Sequence, residues 1–137
     1  MNKVKFDSDL MKLMTHFESV TGANVKDCIA NDKIIFIIEG NEMGKAIGKN
    51  GANIKRVENS LKKKIKLVEF TNDVSEFVKN LVYPIEVADV KNEDGNIIIH
   101  AKDTNTKAML IGRERKNINN LTATVKRYFN IKEAKVI

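Results

Sequence analysis

The sequence predicts an α+β protein in which one α-β-β-α-α-β unit is written twice. Three observations carry this reading. First, separate apolar patterns recur at one shared offset of 64 residues. Leu10, Leu13, Met14 and Phe17 mark one face of a helix and return as Val74, Phe77, Val78 and Leu81. Ile54, Val57 and Leu61 mark a second helical face and return as Ile118, Leu121 and Val125. Second, a glycine loop obeys the same offset. "AIGKNGANI" (46–54) lies over "LIGRERKNI" (110–118), matching Ile47 with Ile111, Gly48 with Gly112 and Asn53 with Asn117. Third, helical spacing and β-branched runs alternate in the same order in both halves.

Each element has its own warrant. Helices are expected at about 8–20 and 73–82, the first with Ser8 as N-cap and Asp7 and Asp9 near its start, the second with Asp73. The strands "NVKDCIA" and "KIIFIIEG" flank a turn at Asn31-Asp32, and "IEVADVK" and "NIIIHAK" flank "NEDG". β-Branched residues dominate the second strand of each pair, which suits a pleated surface. A short helix (about 42–47, 104–111), the glycine loop and a longer helix (about 51–62, 115–129) follow. The strands "IKLVEF" and "IKEAKVI" close the units, so each holds a three-stranded sheet covered by helices. Pro84, the only proline, falls after a helix and cannot interrupt it. The boundary is expected at Thr71-Asn72, giving domains 1–71 and 72–137.

Charge narrows the function classes. The net charge is +6, but Lys45 to Lys66 alone carries eight basic residues against Glu58. That segment is +7 and the remainder sums to −1. Focused positive charge suits phosphate binding. Cys28 is the only cysteine, so no intrachain disulfide or multi-cysteine zinc site can form, and its apolar setting predicts a buried thiol. Neither His16 nor His100 has metal spacing, and no serine stands in a nucleophile elbow. The carboxylates look scattered over the surface, and the aromatics look mostly like core. The expectation is a non-enzyme with no catalytic residue, metal, cofactor or small-molecule substrate. "MNKVKFDSDLMK" has no apolar signal core and no run is long enough to span a membrane, so a cytoplasmic protein with no membrane partner is expected.

The loop "GKNG" explains why glycine sits beside dense positive charge. Glycine lets another backbone approach, and the helix that starts at Gly51 offers free N–H groups to an anion. Lys45 and Lys49 add charge, Asn50 lies between the glycines, and Ile47 and Ile54 can line a groove for unstacked bases. At least one of Lys55 and Arg56, one turn further on, should face that groove. The bland alternative is a helix–helix turn with Gly48 as C-cap. The lysines at 62–64 read equally as a phosphate track or as a solvated helix end. Other phosphate motifs fail: "GNEMGKA" is one residue short of a Walker loop and lacks its Ser/Thr, and the three-glycine dinucleotide fingerprint is missing.

The pattern I-G-x-x-G-x-x-I within α-β-β-α-α-β resembles the K-homology (KH) domain in its type II, prokaryotic arrangement. Two in tandem resemble the archaeal NusA-like transcription elongation/termination factors. These are similar to the RNA-binding KH pair of bacterial NusA without its polymerase-binding and S1-type portions. The resemblance implies single-stranded RNA clamped by its backbone at G-x-x-G, and it raises RNA polymerase as a second partner. The second copy departs from the pattern: Gly112 is kept, but Arg115 stands where the first copy has Gly51, and Glu114 adds an acid. Either this copy is mainly structural, or Arg113, Arg115 and Lys116 reach phosphate through their side chains. Alternative readings are a ribosome-associated or other KH RNA-binding protein, an enzyme acting on nucleic acid, and a basic scaffold that binds polymerase without RNA.

Overall fold

The computed structural model describes residues 3–30 and 33–137. The chain divides into two compact units, Met1–Phe70 and Thr71–Ile137.

In the first unit, helix α1 (Lys3–Thr21) is followed by strands β1 (Val25–Ala30) and β2 (Ile34–Ile38), helices α2 (Met43–Ile47) and α3 (Ala52–Leu61), and strand β3 (Ile65–Glu69). The second unit runs α4 (Val74–Val82), β4 (Val87–Glu93), β5 (Asn96–Ala101), α5 (Thr104–Ile111), α6 (Lys116–Lys126) and β6 (Glu133–Val136). Each sheet has three strands in chain order, the first pair antiparallel and the second parallel. A parallel neighbour needs a crossover, and the two helices with the glycine loop between them supply it. The loop is therefore part of the connection that closes the sheet.

Side-chain alternation puts one sheet face against the helices. In the first unit Phe36 and Ile38 of β2 join Phe17, Ala46 and Val57 in a core, with the Phe17 and Phe36 rings stacked at 4.3 Å. In the second, Ile97 and Ile99 of β5, Phe77, Ile118 and Val125 are buried. Cys28 is buried as expected, and its thiol is pushed up to about 12, first by burial and then by the nearby Asp27 carboxylate. The thiol ionises more readily in the unfolded chain, so its contribution to stability is lost as pH rises from about 9 through the folded value. Cys28 should resist alkylation in the folded protein at pH 8 and react promptly in denaturant; a folded-state rate near that of a free thiol would contradict this burial.

Several boundaries differ from expectation. Ser8 is not an N-cap, because α1 begins at Lys3 and holds Ser8, Asp7 and Asp9 in its interior. Residues 3–7 contain no glycine or proline, so nothing local stops the helix there. Asp73 does cap α4, accepting from the Ser75 and Glu76 amides. The turn expected at Asn31-Asp32 lies outside the described residues. The second hairpin is tighter than "NEDG" suggested. Pairing continues through Glu93 and Asn96, leaving Asp94 and Gly95 as a two-residue turn with positive φ at both. The helix expected to reach 129 stops at Lys126, where the chain turns and sets Tyr128 and Phe129 against Phe77, each at 5.6 Å between ring centroids. The Tyr128 and Phe129 amides both donate to the Val125 carbonyl, so the last turn tightens before the chain leaves the helix.

The carboxylates are not all surface groups. Glu42 is buried and accepts from the Asn24 amide, Glu18 accepts from Val25, and Glu58 accepts from Ile65. These three serve backbone donors at or beside strand starts, which hydrophobic periodicity does not reveal. Phe17, Phe36 and Phe77 are core, whereas Tyr83 is 70% exposed. His100 is half-buried and pairs across the hairpin with Asp89. Among the described residues no helix is long and apolar enough to cross a membrane, and no group of three His, Cys, Asp or Glu could hold a metal.

Candidate nucleic-acid interface

The loop between α2 and α3 has a defined backbone. Gly48 ends α2 at φ 76°, ψ 171°, with its N–H donating to the Gly44 carbonyl at 2.9 Å. Lys49–Gly51 form one 3-10 turn in which Asn50 (56°, 29°) and Gly51 (75°, 17°) are left-handed. The two glycines have different tasks. A Cβ on Gly48 would lie 2.7 Å from Asn53 Cγ and 2.8 Å from the Asn53 backbone nitrogen. A Cβ on Gly51 would meet nothing within 4 Å. Gly48 is required by the protein's own packing, whereas the space at Gly51 is open to an incoming group.

Around this loop the structure gathers the expected residues. Lys49 and Asn50 are exposed at its tip, Lys55 and Arg56 are exposed on the next turn of α3, and Ile47 and Ile54 are half-buried beside it. Lys45 is more constrained: its ammonium lies 3.4 Å from the buried Glu42 carboxylate, though its side chain stays 63% exposed. Among the described residues, Lys49, Lys55 and Arg56 have no ion partner. No side chain caps the first turn of α3. By contrast α4 and α5 are capped by Asp73 and Asp103, and the Asp103 carboxyl is held below the usual range by the Thr106 amide. The Gly51 and Ala52 amides donate back to the Gly48 and Lys49 carbonyls, so what the uncapped start of α3 offers an anion is its partial positive charge.

The second loop has nearly the same backbone. Gly112 (77°, 169°), Glu114 (54°, 32°) and Arg115 (62°, 21°) follow the first loop torsion by torsion. Arg113, Arg115 and Lys116 are exposed, and α6 also starts without a side-chain cap. Arg115 holds a left-handed conformation that costs an L-residue about 1 kcal/mol. Arg115→Gly should therefore raise the stability of the second unit by about that amount in urea unfolding, if the loop keeps its shape. A drop in stability would mean that the guanidinium makes a compensating contact.

The lysine run forms a second basic patch. Lys62 caps α3 in a left-handed conformation, and the 10 residues of α3 separate it from the loop by about 15 Å. The parallel register that pairs Ile34 with Ile65 sets Lys33 next to Lys64. Lys66 lies beside them, its ammonium held below the usual lysine range by burial and then by Lys33. The contact between Lys64 and Glu58, at 3.9 Å and almost fully exposed on the lysine side, is worth little.

Two residues at the loops carried a sequence signal that composition and charge pass over. Asn53 donates through Nδ2 to the Lys45 carbonyl at 2.7 Å, and Asn117 donates to the Met109 carbonyl at 2.8 Å. The signal was their match across the repeat, which no charge or glycine argument used.

Comparison with known proteins adds a family context. Residues 13–94 match the family described as KH domain. A Methanococcus vannielii protein named probable transcription termination protein NusA is 32% identical, over 98% of this chain and 80% of its own length. Proteins of the same name from Methanocaldococcus jannaschii and Thermoplasma acidophilum are 29% and 28% identical, over 77% and 97% of their lengths. The crystal structure of APE1850 is similar with a TM-score of 0.70 at 26% identity, covering 94% of this chain and 98% of that one.

Proposed function

The chain belongs to the KH-domain family, and from that premise we propose that it binds single-stranded RNA as a NusA-like factor in transcription elongation and termination. The observation that carries the reading is the loop Gly48–Gly51. It combines an open approach at Gly51, an uncapped helix start and the exposed cations Lys49, Lys55 and Arg56. A phosphodiester can come close to such a backbone, while Ile47 and Ile54 offer apolar surface to a base. In this reading Lys45 is a secondary contact, since Glu42 shares its charge.

Both units are KH domains on this proposal, 1–71 with the intact loop and 72–137 with the altered one. Support comes from the repeated element order, the repeated sheet topology and the matching loop torsions. Arg113, Arg115 and Lys116 then add side-chain contacts to phosphate in the second unit. The relatives' shared name supports a place in transcription, with RNA polymerase as the expected protein partner, in the cytoplasm and without catalysis.

The test is binding of a short fluorescent single-stranded RNA by the full chain across a salt series. Affinity should fall with salt at a log–log slope of about −0.7 per neutralised phosphate. Duplex DNA should compete weakly. Salt-independent binding, or no binding alongside capture of RNA polymerase, would replace this reading with that of a protein scaffold.

A further inference from the structure

We propose that Asn53 and Asn117 are the positioning residues of the two loops, each setting the backbone that RNA would meet without contacting RNA itself. The functional consequence rests on the RNA-binding reading above; the structural one does not.

Each asparagine does two things at once. Its side chain fills the space that a Cβ on the first loop glycine would need, with Cγ at 2.7 Å from that position in both loops. Its amide also holds a carbonyl in the last turns of the preceding helix, Lys45 in one case and Met109 in the other. That carbonyl lies at a helix end, where it has no intrahelical partner. One amide therefore ties the end of α2 to the start of α3, and a second ties α5 to α6.

The two loops show what this arrangement controls. Between the first glycine and the second helix they share no residue: "KNG" in one, "RER" in the other. Their torsions nevertheless agree closely, and Glu114 and Arg115 adopt left-handed conformations that their side chains disfavour. Besides the flanking isoleucines, Ile47/Ile111 and Ile54/Ile118, the common parts are the first glycine and the asparagine. The loop shape follows from that pair, so the tip residues can vary without moving the backbone. Arg115 is tolerated because its counterpart, Gly51, faces open space. The second loop thus presents the same array of backbone amides with a guanidinium added, and the first glycine of each loop serves the asparagine rather than the RNA.

Two variants of the full chain test this. Asn53→Ala removes both filler and donor. Asn53→Asp keeps the shape and loses the donor at neutral pH, but regains an O–H donor once the carboxyl is protonated. Lys45, Lys49 and Glu42 are the charged groups on the adjoining helix and loop that will bias that titration. The readouts are amide chemical shifts of residues 48–52 and affinity for the same RNA. Both variants should move those shifts at pH 7 and weaken binding roughly tenfold, about the value of one hydrogen bond to the loop's frame. The shifts of residues 112–116 should stay in place. In Asn53→Asp the parental shifts should return as pH falls through about 4, a recovery that poorer packing alone would not produce. Parental shifts and affinity in both variants at pH 7 would overturn the proposal. If the parent binds no RNA, the functional reading falls, and the shifts alone still decide whether Asn53 sets the loop.

Discussion

Gly48→Ala is expected to destabilise the first unit by roughly 3 kcal/mol or more, whereas Gly51→Ala costs about 1 kcal/mol. At Gly48 two penalties coincide. The conformation near φ 76°, ψ 171° is almost closed to L-residues, and the new methyl would collide with both the side chain and the backbone nitrogen of Asn53. The backbone nitrogen belongs to the first turn of α3 and cannot swing aside, so the loop or α3 itself must shift. At Gly51 only left-handed strain is incurred, because the space around it is open. Urea unfolding of both variants decides the matter. Equal costs would mean that the Asn53 contact does not constrain the loop. The same logic predicts that RNA affinity falls at Gly48→Ala through a deformed loop and at Gly51→Ala through a blocked approach, two effects that the unfolding curves separate.

The second large effect is on binding. Lys49→Asp/Asn50→Asp should weaken RNA binding by about a hundredfold at low salt. The pair of substitutions changes the loop's charge by three units at exposed positions, each worth on the order of 1 kcal/mol against a neighbouring phosphate. The fold should survive, because Lys49 is exposed and aspartate tolerates the left-handed conformation of Asn50 better than most residues. The salt slope should also become shallower, by about 0.7 for each phosphate that the variant no longer neutralises. Undiminished affinity with an intact fold would place the RNA away from this loop, on the second unit or on the lysine patch at the far end of α3.

Much of this molecule can be read along the chain, and the reasons are local. Helix faces, β-branched strands and the 64-residue repeat are periodic signals that survive without coordinates. The loop's glycines and lysines could be picked out as a candidate phosphate site because both act through backbone freedom and charge, which composition displays directly. The place of Asp73 at a helix start was legible for the same reason, because charge at a helix end acts within one turn. Where the expectation failed, the deciding interaction came from elsewhere. Ser8 looked like a start because it is polar, yet nothing before it breaks a helix. The last helix ends at Lys126, short of the expected 129, and the residues beyond it, Tyr128 and Phe129, pack on Phe77, about fifty residues away in sequence.

Residue type and spacing were enough to define the unit, its repetition, the buried thiol and the place of the loop. The folded chain was needed to show which glycine is open and which is filled, that Lys45 is shared with Glu42, and that the altered second loop keeps the backbone of the first. Those outcomes depend on where the side chain of Asn53 or Asn117 meets a glycine and a helix end several residues earlier. Hydrophobic periodicity and net charge hold no trace of such contacts, because a single neutral amide at a helix start changes neither.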